Sequence, residues 1–429
     1  MKKTYYIIYF IIALLMPWIS SAQEVPIPRW GSDSIWSPKV KSVFFNRNGI
    51  ALEAPIIEPW NGSRILLEFD ILEDIPADLR YRIVHCNKDW TPDLLEPSEY
   101  LYGFEEENLN NYESSFVTLQ QYIHYREYVP GQSTSFAISG NYLLIVYMQD
   151  EPDSILLTRR FYVSEELLDI SMEMGKPMAQ AGDYRRDQEV DVAFAPKDGV
   201  SLSSTADYYT VMLRQNERPD MLRTLPFSGY MGQQMLYRWQ NENVFPGGNV
   251  FRYFDLSNIR TPMYNVQEVD RYGEEWYAFL KPMELRAHKP YVSQPTLNGE
   301  MKINVFDRNK KDLEADYVWV NFSLPMEQPY MGGSIHIVGA LTDWKLDEGS
   351  RMDYNAQYKA YTKRILLKQG YYSYQLLFLP AGENVANTDR TEGNFNVMQN
   401  NYTALIYYRL PHERYDRLIG VKRIKKVYN

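Results

Sequence analysis

No segment of this 429-residue chain holds a helical period for long. Short runs that alternate apolar and polar residues follow one another instead, each closed by a turn signal. Val40–Phe45, Ile65–Phe69, Tyr81–Cys86, Tyr122–Tyr128, Asn141–Tyr147 and Arg159–Val163 form a first set, with Asn46–Gly49 and Asn61-Gly62 as turns. A second set starts at Leu168 and includes Val190–Ala195, Tyr208–Leu213, Met235–Trp239, Val250–Leu256, Trp276–Leu280 and Met301–Phe306, with Pro246–Asn249 as a breaker and Asn298-Gly299 as a hairpin signal. The charged run Asp307–Asp312 suits a boundary. Beyond it Tyr317–Leu324, Ser334–Gly339, Tyr361–Leu367, Tyr371–Phe378 and Thr403–Tyr408 make a third set. The 36 tyrosines fit this reading, since Tyr packs well on half-buried pleated surfaces. The expectation is an all-β chain of about three tandem sandwiches of immunoglobulin-like or early-set-like type.

In linear order this gives a leader over 1–22, a lead-in over 23–37, sandwiches over 38–165, 166–311 and 312–410, and a basic tail over 411–429. The leader rests on Lys2-Lys3, an apolar run from Tyr5 to Met16 and Ser20-Ser21-Ala22, which together predict secretory cleavage after Ala22. The apolar run is short for a membrane span, and with no cysteine near the cleavage point a lipid anchor is not expected. Losing Lys2 and Lys3 takes the formal net charge from −10 to −12, which disfavours nucleic acid as a partner. Cys86 is the single cysteine, so no intramolecular disulfide can form, and its place in a strand predicts a buried, inert thiol.

The stretch Tyr81–Phe104 organises the first set. It opens as a strand and breaks into a polar, proline-bearing loop that carries Trp90 among charged residues. His85 and Cys86 are neighbours, so in a strand they face opposite ways and cannot share a metal. None of the five histidines (His85, His124, His288, His336, His412) pairs with another at ligand spacing, and no metal or cofactor is expected. His124, in a strand-like run, reads as a hydrogen-bonded packing residue. No G-x-S-x-G frame exists, Gly247-Gly248 lacks the rest of a nucleotide loop, and carboxylate runs such as Glu105–Glu107 read as solvated surface. The chain is therefore not expected to be an enzyme.

Several separated blocks resemble the plug-protein family of the bacterial type IX secretion system. They are Tyr81–Phe104, Tyr122–Arg126 (with Ser115-Phe116 before it), Ser139–Tyr142, Thr158–Phe161, Phe245–Ile259, Tyr407–Arg409 and Tyr415–Gly420. The resemblance implies a non-enzymatic periplasmic protein that closes the periplasmic mouth of a very large outer-membrane β-barrel translocon when no cargo is present. Aromatic anchors dominate such interfaces, which makes Trp90, Tyr100 and Tyr102 the expected partner contacts. A competing resemblance lies in Ile335–Trp344 and Gly370–Gln375, which are similar to glycogen-binding modules of the early-set class; it implies glycan stacking on Trp344 with Tyr372 or Tyr374 as a second platform.

Overall fold

The computed structural model describes residues 31–178, 182–306 and 311–425. The expected leader, the lead-in up to residue 30, part of the Asp307–Asp312 run and the end of the chain lie outside them. Strand makes up 47% and helix 5% of the structure, in several mostly antiparallel sheets that form β-sandwiches. No helix among the described residues is long and apolar enough to cross a membrane.

The first sandwich lies within residues 34–163. One sheet has the order Ser34–Ile35, Glu151–Val163, Gly140–Met148, Leu79–Cys86, Glu106–Asn108; the other runs Val40–Arg47, Ile65–Ile71, Ile123–Val129, Tyr112–Ser114. Alternation places Leu67, Phe69 and Tyr125 of one sheet against Tyr81, Ile83, Tyr142 and Phe161 of the other, all fully buried. The described end of the supposed lead-in is not a loop. Ser34 and Ile35 pair with Thr158 and Leu157 as an edge strand.

Strand pairing departs from the linear order beyond residue 166. Leu168–Gly175, Asp187–Pro196, Gln234–Tyr237 and Gly229–Met231 form one sheet of the second sandwich; facing it are Leu222–Leu225, Tyr209–Gln215, Asn401–Tyr408 and Arg417–Lys425. The last two come from the stretches assigned above to a third sandwich and to a tail. Val211 stands opposite Ile406 and Ile406 opposite Gly420, with one irregularity in the last pair between Ile406 and Tyr407. The physical reason is apolar alternation: Tyr402, Ala404, Ile406 and Tyr408 fill the core against Val211 and Leu213, and Ile419 joins them from the final strand.

The third sandwich is thus an insertion in the second. Gly370–Pro380 pairs with Arg252–Asp255, Met301–Ile303 and Gly333–Val338; Tyr317–Pro325 pairs with Ala360–Lys368 and, in parallel, with Glu275–Leu280. Asn298-Gly299 turns the chain, with both residues at positive φ, but the strands on either side of it enter different sheets and form no hairpin.

Candidate functional site

Four of the blocks quoted above, Tyr81–Phe104, Ser139–Tyr142, Tyr407–Arg409 and Tyr415–Gly420, meet in space at the seam between the first and second sandwiches. Asn141, fully buried, accepts a 2.7 Å hydrogen bond from the Tyr407 hydroxyl and donates to the Asn87 carbonyl at 3.2 Å. Asp416 accepts from the Lys88 amide at 3.0 Å and from the Lys88 ammonium at 3.1 Å. Arg417 clamps Glu165 with two bonds of 2.8 and 2.9 Å, the bidentate geometry that gives an ion pair direction as well as charge. His85 holds Asp93 through Nδ1 and meets the Ser139 carbonyl through Nε2 at 3.2 Å. Gly140 has to be glycine here: its φ is +143° and a Cβ would sit 2.3 Å from His85 Nε2.

A second seam joins the first sandwich to the inserted one. Asp70 is fully buried and takes hydrogen bonds from His124 Nδ1 (2.7 Å), the Lys368 ammonium (2.6 Å) and the Tyr317 hydroxyl (2.6 Å). Burial pushes its carboxyl pKa up, but the Lys368 charge and the His124 contact outweigh that and hold it below the ordinary range. Lys368 also stands 4.2 Å over the Tyr122 ring, and Asp316 accepts the Leu119 and Gln120 amides at 2.8 and 3.1 Å. Arg159 reaches Asp343 at 3.0 Å from the same side. Through these contacts residues 31–425 behave as one compact unit.

The structure separates the three expected partner contacts. Trp90 is buried: its backbone takes a positive φ of 68°, the Arg160 guanidinium lies 4.5 Å over its ring, and Tyr162 packs edge-on at 5.3 Å. Its cover comes from the distant Glu151–Val163 strand and not from its charged neighbours in sequence. Tyr100 is also buried and donates to the Ile83 carbonyl. Only Tyr102 stands out, at 65% exposed, and the same stretch adds Phe104 at 64% and Leu94 at 90%, both missed above. The signal for Phe104 was legible in position alone, one residue past the tight Gly103 turn.

The expected glycan site loses its second platform. Tyr372 and Tyr374 are buried in the third sandwich, their rings near Phe254 and their hydroxyls on the Lys368 carbonyl and Met283 Sδ. Trp344 is half-buried between two small apolar clusters, so close to Gly299 that a Cβ there would meet its ring at 2.2 Å. The two tyrosine rings expected as a second sugar platform are spent on the protein's own packing. Cys86 is buried as expected, and burial pushes its thiol pKa up to about 12.

Comparison with known proteins follows this geometry. Residues 40–165, almost all of the first sandwich, match the family model described as Type 9 secretion system plug protein 1st domain. No curated protein matches the chain. The crystal structure of a hypothetical protein from Parabacteroides merdae superposes with a TM-score of 0.89 at 31% identity, covering 93% of this chain and all of the other.

Proposed function

This chain belongs to the type IX secretion plug-protein family, and we propose that it is a periplasmic plug which occludes the inner mouth of a large outer-membrane secretion barrel while no cargo occupies it. Family membership supports a secretion-related role, association with the secretion machinery and a place in the cell envelope. The single observation that carries the finer reading is the match of the first sandwich to the plug domain. Its action is steric and needs no turnover. A body that blocks a pore should not yield, and the two buried polar seams favour one rigid arrangement of the three sandwiches. In this reading export follows the leader expected to end at Ala22, and contact with the barrel holds the protein at the membrane.

The interface has to hold the idle barrel and still release on cargo arrival, so it is specific, with at least ~1,000 Å² buried, but not maximally tight. Tyr102, with Phe104 and Leu94 beside it in sequence, supplies exposed apolar anchors for it. Deleting the protein while the barrel stays assembled should let compounds too large for ordinary porins enter the cell. Unchanged uptake in the deletion strain contradicts the proposal.

A further inference from the structure

The alternation that sends Leu67, Phe69 and Ile71 into the first core sends Glu68 and Asp70 out of the other face of the same strand. His124 is the register partner of Asp70 on the next strand. Its Nδ1 lies 2.7 Å from Asp70 Oδ1. A carboxylate can only accept, so Nδ1 carries the hydrogen, and in the neutral ring Nε2 holds a lone pair. His124 is 9% exposed, and that Nε2 is buried with no hydrogen-bond partner among the described residues. Acidic groups face it instead. Glu68 Oε1 stands 4.0 Å away, and the Asp312 carboxylate completes a group whose donor atoms all lie within 4.8 Å of one another. A cation satisfies the ring nitrogen and both carboxyl groups at once.

We infer that Glu68, His124 and Asp312 form a site for a divalent transition-metal ion, with zinc the best match to one imidazole and two carboxylates. The Asp70–His124 pair supplies what such sites have behind the ligand, a carboxylate that fixes the ring's tautomer and orientation. His124 and Asp312 line a cleft of about 350 Å³, which leaves room for water as a fourth ligand. Tetrahedral zinc sets its ligand atoms roughly 3.4 Å apart. The carboxylates therefore close in on binding, which the exposed Asp312 side chain can do by rotation. Arg126, 3.3 Å from Glu68 and half exposed, is the cation the metal displaces. Asp312 sits in the short Lys311–Glu314 helix that leads into the Tyr317–Pro325 strand, so the ion ties the first sandwich to the inserted one. Sequence spacing gave no hint of this, because the ligands come from three separate elements.

The test is calorimetric titration of the tag-free, chelator-treated full chain with zinc chloride and, separately, magnesium chloride, alongside thermal unfolding with and without zinc. One zinc per chain should bind saturably, and zinc should raise the melting temperature by several degrees; magnesium should bind at least tenfold more weakly. Glu68→Gln and Asp312→Asn should each lose at least tenfold in zinc affinity, while Asp312→Asn unfolds like the parent chain when zinc is absent. His124→Ala also robs Asp70 of a partner, so the two carboxylate variants carry the test. No saturable zinc binding, no rise in melting temperature, magnesium binding within tenfold of zinc, or a smaller loss in either variant overturns the assignment.

Discussion

Trp90 shows how far one residue's neighbours can mislead. Asp89, Lys88 and Asp93 made its loop look solvated, yet the left-handed backbone at Trp90 turns the ring inward and Arg160 closes over it. Replacing it with Ala should cost roughly 3–5 kcal/mol in chemical denaturation, because a large ring leaves a cavity that the sheet cannot refill. Trp344→Ala should lower stability by about 3 kcal/mol, the low end for such truncations, and calorimetry of the intact chain with oligosaccharides should show no saturable heat. His336 adds a pH dependence. It is buried between Ser334 and Ser350, and burial lowers its pKa to about 4 from 6.5, with Asp347 pulling the other way. The unfolded chain then binds the proton more readily than the folded one, so stability falls as pH drops from about 6.5 towards 4. His336→Gln should flatten that part of the profile in urea unfolding. Cys86, with its thiol pushed up to about 12, should react with small thiol reagents only at the rate of unfolding.

At the scale of single elements, the Ile65–Ile71 strand carries two messages in one alternation: a core on one face and Glu68 and Asp70 on the other. The first was legible from the sequence, because a period of two is a local property. The second was not, since Lys368 and Tyr317, which give Asp70 its meaning, arrive from the inserted sandwich. The same limit explains the domain order. Strand existence could be read from runs such as Tyr402–Tyr408, but nothing local says that this run pairs with Tyr209–Gln215 rather than with its own neighbours. Two of the three expected partner residues, Trp90 and Tyr100, are buried, for hot-spot composition names residue types and not which of them stay exposed. Asp70→Asn should cost about 3–5 kcal/mol, because the Lys368 ammonium is left buried without its counter-charge. Asp70's depressed pKa gives stability that is complete above the ordinary carboxylate range and is lost as pH falls through the lower folded value, so the variant should lack that acid limb. Urea unfolding across pH checks both, and Lys368→Met on the Asp70→Asn background should recover part of the loss.

The whole molecule is a body of three sandwiches in which the chain leaves the second to build the third, returns to finish it, and then locks the finished sheet onto the first through Tyr407, Asp416 and Arg417. Folding the final strands therefore sets the position of the family-matching domain. Asp416→Ala should loosen that seam without unfolding any sandwich, seen as faster proteolysis at the junction and a lower melting temperature. The central claim is that this body is retained by a barrel. Its most direct measurement is affinity capture of the tagged mature protein from detergent-solubilised outer membrane. The plug reading predicts that one very large outer-membrane β-barrel co-purifies, with yield reduced in a Tyr102→Ala, Phe104→Ala double variant that folds normally. Recovery of no barrel by the folded parent protein contradicts it.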